Sequence, residues 1–282
     1  MQKVSLVALV QMKSSESKDE NLRLSLNFIK EAAKKKASLI CFPEFQMAFS
    51  PSYQSAKQLT KLAESINYGN FVFTLCSAAK RNKINVIATI YERIANNSNT
   101  KYNNRVFDTA VMINNKGIIC SVYRKVHLYD AFGFKESVKM MAGNIIEKPV
   151  KTSAGNVGLM ICYDIRFPEM SRILTVYGAT VLAVPSAWVH GIMKEEHWQT
   201  MLKARAIENG SYVIAPDQVG NIFSGRSMVV DPFGINLLDM GNKEGMEVVE
   251  IDKSRIQKIR NSLPLLNNRR TDVYRDNINA FS

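Results

Sequence analysis

The sequence predicts an α/β domain built from two similar halves, and three observations carry that prediction. Short apolar runs alternate along the chain with stretches whose apolar residues recur at helical spacing. The run Ala37-Ser38-Leu39-Ile40-Cys41-Phe42-Pro43 is echoed in pattern by Ala179-Thr180-Val181-Leu182-Ala183-Val184-Pro185, and each follows a helical stretch. No Ser/Gly/Pro-rich linker divides the halves, so residues 1–282 read as one domain. A chain of this length buries roughly three quarters of its unfolded surface and needs no disulfide or metal staple.

Taken in order, Val4 to Val10 reads as a buried strand. Ser17-x-x-Glu20 is a capping-box pattern, and Leu22, Leu26, Ile29 and Ala33 follow at helical spacing. Ala37 to Phe42 reads as a strand stopped by Pro43, which cannot donate to a ladder. Val72, Leu75, Cys76 and Ala79 mark a second helix, and Asn85 to Tyr91 the next strand. Residues 106–124 form a predicted hairpin, with Asn114-Asn115-Lys116-Gly117 as its turn. After the turn at Ala154-Gly155-Asn156 comes a strand from Val157 to Ile161. A helix then opens at Pro168 and closes near Gly178. Strand Thr180 to Val184, helix Glu195 to Asn209, strand Tyr212 to Pro216 and hairpins through Glu250 complete the pattern. The tail, 253–282, reads as helical at first and irregular after Pro264, and is expected to pack on a neighbouring subunit.

Composition narrows the function classes. With 14 Gly and 8 Pro, the chain is neither collagen-like nor low-complexity. The balance of 37 Lys and Arg against 25 Asp and Glu, net +12, raises the question of an anionic partner. The basic residues are spread along the chain. The densest groups, Lys34-Lys35-Lys36 and Lys253 to Arg260, read as solvated helix faces without interleaved aromatics, so no nucleic-acid partner is expected. The four cysteines at 41, 76, 120 and 162 contain no CxxC, which fits a reducing, cytoplasmic setting. No apolar run approaches the roughly 18 residues of a membrane span, and no membrane partner is expected. The seven residues Val4 to Val10 lack a small-x-small cleavage pattern and are not read as a signal peptide.

In α/β sheets, reactive side chains gather at the carboxyl ends of strands. Three such ends carry Glu44, Lys125 and Cys162. Cys162 stands between a buried strand and the helix at Pro168, a strand–elbow–helix that lifts a nucleophile above the sheet edge. The same elbow offers the Tyr163 N–H to an oxyanion. The competing reading of any cysteine is a small buried hydrophobe, and Cys41, Cys76 and Cys120, inside apolar patterns, take that reading. A thiol needs a base, and Glu44, behind a strand-ending proline between Phe42 and Phe45, is placed to be one if buried. Lys125 is either an oxyanion holder or a solvated lysine. Glu136, eleven residues on, follows a Gly-containing loop and could face the same pocket. His127, His190 and His197 make no metal pattern, and no phosphate-binding Gly loop is present. A Cys–His pair through His127 or His197 stays open, although His197, beside Trp198, reads as a hydrogen-bonded packing histidine.

Cys41-Phe42-Pro43-Glu44-Phe45, Tyr123-Arg124-Lys125-Val126-His127-Leu128 and Ile161-Cys162-Tyr163-Asp164-Ile165-Arg166-Phe167-Pro168-Glu169 resemble, in order and spacing, the three signature blocks of the nitrilase superfamily of carbon–nitrogen hydrolases. The likeness extends to Lys194-Glu195-Glu196-His197-Trp198, Arg205 to Asn209, and Leu263-Pro264-x-x-Asn267-x-Arg269-Arg270. The resemblance implies a four-layer α-β-β-α sandwich, a homodimer, and a Glu44–Lys125–Cys162 triad with Glu136 as an additional glutamate. It implies hydrolysis of a small linear amide or N-carbamoyl compound through a thioester, with no metal or organic cofactor. Cys162-Tyr163-Asp164 resembles the amidase and carbamoylase branches more than true nitrilases, which usually carry Cys-Trp-Glu there; conversion of a nitrile is the alternative. A catalytically inactive relative or a basic nucleic-acid binder are the non-enzyme alternatives. In carbamoylases and ω-amidases that resemble this chain, an arginine matching Arg166 pairs with a substrate carboxylate; the competing reading is a bridge from Arg166 to Glu169 or Asp164.

Overall fold

Alternate residues of the first strand point into two different cores, and this sets the layering. The structure, a computed structural model, describes residues 4–94 and 104–278, the side chains of 275–278 excepted. The first half contributes β1 (Val4–Gln11), α1 (Lys18–Lys34), β2 (Leu39–Cys41), α2 (Ala56–Leu62), α3 (Asn70–Asn82), β3 (Asn85–Arg93), β4 (Val106–Ile113) and β5 (Ile119–Arg124). The second contributes β6 (Val150–Lys151), β7 (Asn156–Leu159), α4 (Pro168–Val176), β8 (Val181–Ala183), α5 (Lys194–Asn209) and β9 (Tyr212–Ala215). Short β10 (Val219–Gly220), β11 (Phe223–Ser224), β12 (Met228–Val230) and β13 (Asn236–Asp239) follow. The chain closes with β14 (Gly245–Asp252), α6 (Lys253–Ser262) and α7 (Thr271–Ile278).

Two six-stranded sheets result, ordered β14-β1-β2-β3-β4-β5 and β13-β12-β9-β8-β7-β6. In each, three parallel strands are flanked by antiparallel ones, β1, β2 and β3 in the first and β7, β8 and β9 in the second. The two echoed sequence runs become β2 and β8, the central strands of these triplets. Val7 and Leu9 of β1 pack with Leu159, Val181 and Val213 of the second sheet. Ala8 and Val10, on the opposite face, pack with Ile29 of α1 and Leu75 of α3. Helices α4 and α5 cover the outer face of the second sheet, with Leu174, Trp198 and Leu202 buried. The period-2 alternation of β1 thus separates the sheet–sheet core from a helix–sheet core. The architecture is the four-layer α-β-β-α sandwich.

Several boundaries differ from the sequence reading. Strand β2 has three residues; the Phe42 N–H still donates to Ile87 O of neighbouring β3 (2.9 Å) before Pro43, which has no N–H, ends the run. Ser17 Oγ accepts from the Glu20 N–H at 3.3 Å, but the Glu20 carboxylate turns to Ser15 Oγ, so half of the predicted capping box forms. Helix α2 escaped the reading although Ser55 and Gln58 make a complete capping box. Beyond Pro264 the tail is not irregular throughout, since α7 forms there. Helix α6 packs on its own chain: Ile256 is buried, and Arg260 donates to the carbonyls of Ala179 and Gly210. Cys120 corrects the expectation of buried structural thiols. It lies on β5, an edge strand, at the register shift where Met112 pairs Ser121 and Ile113 pairs Ile119, and is exposed; Cys76 is half-buried, and only Cys41 is enclosed as expected.

Candidate active site

The site assembles at the carboxyl ends of the parallel strands, on the seam between the sheets. Glu44 follows β2 through Phe42 and Pro43, and its N–H donates to Ser186 O beyond β8, at 3.2 Å. Lys125 follows β5. Its N–H donates to Asp108 O of β4 (2.9 Å), and its C=O accepts from the Gly143 N–H (2.8 Å). Gly143 is required there, since a Cβ would sit 2.4 Å from Arg124 O. Both charged side chains are almost completely buried.

Cys162 opens a short 3₁₀ turn after β7 with φ at +43°, a left-handed conformation that costs an L residue about 1–2 kcal/mol. Surrounding bonds hold it. The Cys162 N–H donates to Pro185 O (2.9 Å), and the Asp164 N–H to Ile161 O (3.0 Å). This leaves the Tyr163 N–H, in the first turn, for a ligand. Asp164, wholly buried, accepts from the Ile161 N–H, the Tyr123 hydroxyl and the His127 N–H. Arg205 of α5 adds a bond from Nε to Ile165 O at 2.8 Å.

The structure brings Glu44, Lys125, Glu136 and Cys162 together. Lys125 Nζ donates to Glu44 Oε1 at 2.7 Å and to the two Glu136 oxygens at 3.0 and 2.9 Å. Glu44 Oε2 accepts from the Ala187 N–H at 2.8 Å, and Glu136 Oε2 from the Tyr129 N–H at 2.7 Å. Burial opposes the Lys125 charge, but Glu136, Glu44 and Cys162 together outweigh it and push its pKa well above the usual lysine range. Burial, then the charge of Glu44, push the Cys162 thiol well up, against the pull of Lys125 and the Ala187 N–H. Both effects favour the neutral form of the thiol.

Cys162 and Glu136 open into a cavity of about 480 Å³, walled in part by aromatic rings including Phe45, Phe134, Trp188 and Phe223. Tyr163 and Arg166 line the same cavity. Arg166 bridges to neither Glu169 nor Asp164. Its guanidinium lies 4.6 Å from the centre of the Trp188 ring, and its buried Nε has no partner. Lys194, which the sequence reading left out, also lines the cavity. It is buried, donates to the Tyr129 hydroxyl at 2.6 Å and lies 3.8 Å from the centre of the Phe132 ring. Burial and the nearby Arg166 charge lower its pKa. Neither histidine of the Cys–His alternative lines the cavity that Cys162 faces. The His127 ring pairs with Asp164 at 2.8 Å and stacks on Phe167, while His197 lies on α5, its Nδ1 without a partner, so the hydrogen bond expected of a packing histidine is missing there.

Asp217, Asp108 and the Ala187 N–H are further components missed in the sequence. Asp217, buried, accepts from the Trp188 N–H at 2.7 Å and so fixes the loop that presents Ala187. Burial raises its pKa well above the carboxylate range. In the window between its ordinary and its raised value, the unfolded chain releases a proton that the folded chain keeps, so the stability due to this group falls as pH rises. Thermal unfolding of Asp217→Asn, followed from pH 5 to 8, is expected to show a flatter loss of Tm with rising pH than the wild type.

A family model described as carbon-nitrogen hydrolase matches residues 6–261. A deaminated glutathione amidase of Escherichia coli O157:H7 is 34% identical over 265 residues, 94% of this chain and 97% of that protein. The Homo sapiens protein of the same name is 33% identical over 280 residues, 95% of this chain and 83% of that protein. A carbon-nitrogen hydrolase structure from Helicobacter pylori G27 matches with a TM-score of 0.85 at 28% identity, covering 98% of each chain. A Saccharomyces cerevisiae member of branch 10 of the nitrilase superfamily matches with a TM-score of 0.82 at 29% identity, covering 96% of this chain and 98% of that one. The chain belongs to the carbon–nitrogen hydrolases of the nitrilase superfamily and is an amide-hydrolysing enzyme.

Proposed function

We propose that the chain is a cysteine-dependent amidase acting on small linear amides or N-carbamoyl compounds that carry a carboxylate. The observation that supports the chemistry is the Lys125 ammonium, held between Glu44 and Glu136, the latter lining the cavity that Cys162 faces. Glu44 takes the proton of Cys162, and the thiolate attacks the carbonyl carbon. The resulting oxyanion is held by Lys125 and the Tyr163 N–H. Once Glu44 carries the proton, its hold on Lys125 weakens, and an N–H turns to the oxyanion. Glu44 then protonates the departing nitrogen, which leaves as ammonia or an amine. It next deprotonates water for attack on the thioester, and the acid leaves as Cys162 regains its proton. Glu136 keeps Lys125 in place throughout.

Substrate class rests on Arg166 and Lys194. Among the described residues no carboxylate pairs with either, so the cavity presents two cations without an ion-pair partner of their own. A carboxylate satisfies Arg166 bidentately. Deaminated glutathione, named in relatives, is a linear amide of this carboxylated class. The test is ammonia or amine release from deaminated glutathione, ω-amides of dicarboxylic acids, carbamoyl amino acids, neutral aliphatic amides and nitriles. Carboxylated amides are expected to lead. Arg166→Lys should raise their KM by roughly tenfold, about 1.4 kcal/mol, through loss of one of two parallel bonds. Lys194→Met should raise it further without changing turnover of neutral amides. Equal rates on neutral and carboxylated amides would remove the carboxylate from this reading, and faster nitrile conversion would favour the nitrilase alternative.

The active form is proposed to be a cytoplasmic homodimer. Val176, Tyr177, Phe233 and Ile235 supply exposed apolar surface for a second copy, which light scattering can check. No described helix is long and apolar enough to cross a membrane.

A further inference from the structure

The reaction above leaves one buried acid without a task. Asp108 of β4 is 1% exposed, and its Oδ2 is reached by no donor. The nearest cation, Lys125 Nζ, lies 3.8 Å away with its protons directed at Glu44 and Glu136. The titratable groups that face Asp108 are Glu44, Lys125 and Glu136, with Tyr91 of β3. Tyr91 cannot serve it, because its hydroxyl donates to Ala48 O at 2.9 Å. Glu44 shares the same cation, its Oε1 2.7 Å from Lys125 Nζ. An ionised Asp108 leaves a buried acceptor unpaired and sets a second negative charge beside Glu44. A proton on Asp108 removes both faults at once, since the O–H becomes a donor to its neighbour.

We propose that Asp108 is kept as a neutral carboxylic acid and donates a hydrogen bond to the Glu44 carboxylate, as a positioning residue for the base. Burial, then the charge of Glu44, drive its pKa in that direction, against the pull of Lys125. The buried cluster then holds two carboxylates and one ammonium, and proton transfer from Cys162 to Glu44 leaves their sum with the sulfur unchanged. An ionised Asp108 would add a further charge opposing the thiolate. The role rests on Glu44 being the base; the protonation state does not.

The test is Asp108→Asn, which keeps the shape and an N–H donor and cannot ionise. The infrared difference between wild type and this variant near pH 7 is expected to contain the carbonyl band of a protonated carboxyl group, shifting in D2O. Absence of the band, or its persistence in Asp108→Asn, overturns the proposal. On an amide that the wild type hydrolyses, kcat/KM of Asp108→Asn should stay within about tenfold of wild type, while folded Asp108→Leu loses about 10²-fold. An Asp108→Asn variant as poor as Asp108→Leu would mean that Asp108 acts as an anion, and also overturns it. The infrared arm needs no turnover, so a wild type inactive on every amide would count against the proposed function alone.

Discussion

Cys162→Ala is expected to abolish turnover, by about 10⁴-fold or more, while circular dichroism and the unfolding midpoint stay close to wild type. The side chain removed is small, and the elbow is held by bonds that do not involve sulfur: Cys162 N–H to Pro185 O, Asp164 to Ile161, and Arg205 to Ile165. Glu44→Gln should lose nearly as much, because base and nucleophile act as a unit. The backbone adds a second readout. Cys162→Gly should be more stable than Cys162→Ala by about 1 kcal/mol, since glycine meets the left-handed φ of +43° without a Cβ penalty. Substantial activity in Cys162→Ala, or a dead His127→Ala beside an active Glu44→Gln, would refute the triad. Alkylation is a poorer probe, because the exposed Cys120 competes; iodoacetamide mapping of Cys162 needs a Cys120→Ser background.

Lys125→Met is expected to damage both fold and function. The ammonium is the shared partner of buried Glu44 and partly buried Glu136, and removing one member of a buried ionic group costs about 3–5 kcal/mol. Activity should fall by about 10³-fold from loss of the oxyanion partner alone. The stability defect has a sign in pH. Without the cation, the remaining carboxyls bind protons more tightly folded than unfolded, so the variant should recover stability as pH falls from 8 towards 5. Urea unfolding at both pH values checks this, and a defect independent of pH would mean that Lys125 contributes packing alone.

The positions of Glu44, Lys125 and Cys162 were legible because strand ends are written locally. Pro43 stops β2, Pro168 starts α4, and the apolar runs before them can only be buried strands. The equivalence of β2 and β8 was likewise legible in their shared pattern, although the pattern alone suggested one mixed sheet and the two sheets came only with the family resemblance. What escaped depends on tertiary placement. Ala187 contributes a backbone N–H, which no side chain announces. Lys194 stands before Glu195 and Glu196 and reads as solvated, yet the aromatic rings of Tyr129 and Phe132 enclose it. Asp108 beside Thr109 reads as a polar step in β4, because covering of that face is decided by other strands. Cys120 misled for the converse reason: its neighbours are apolar, but an edge strand at a register shift has less to cover it. Helix α2 buries only Leu59, too little for a periodic signal.

The seam between the sheets has a mechanical consequence. Lys125 hangs from the first sheet and Cys162 from the second, while Glu44 leaves the first and is gripped at both its N–H and its carboxylate by Ser186 and Ala187 of the second. The proposed catalytic groups therefore act as a vernier between the two sheets. A slip of one sheet by an ångström would stretch the 3.2 Å and 2.8 Å bonds that join Glu44 to Ser186 and Ala187 together while leaving each sheet's own ladder intact. Turnover should therefore report the docking of the sheets more sensitively than any measure of secondary structure. Mild denaturant, or a cavity cut between Leu9 and Leu159, would silence the enzyme while both sheets still stand.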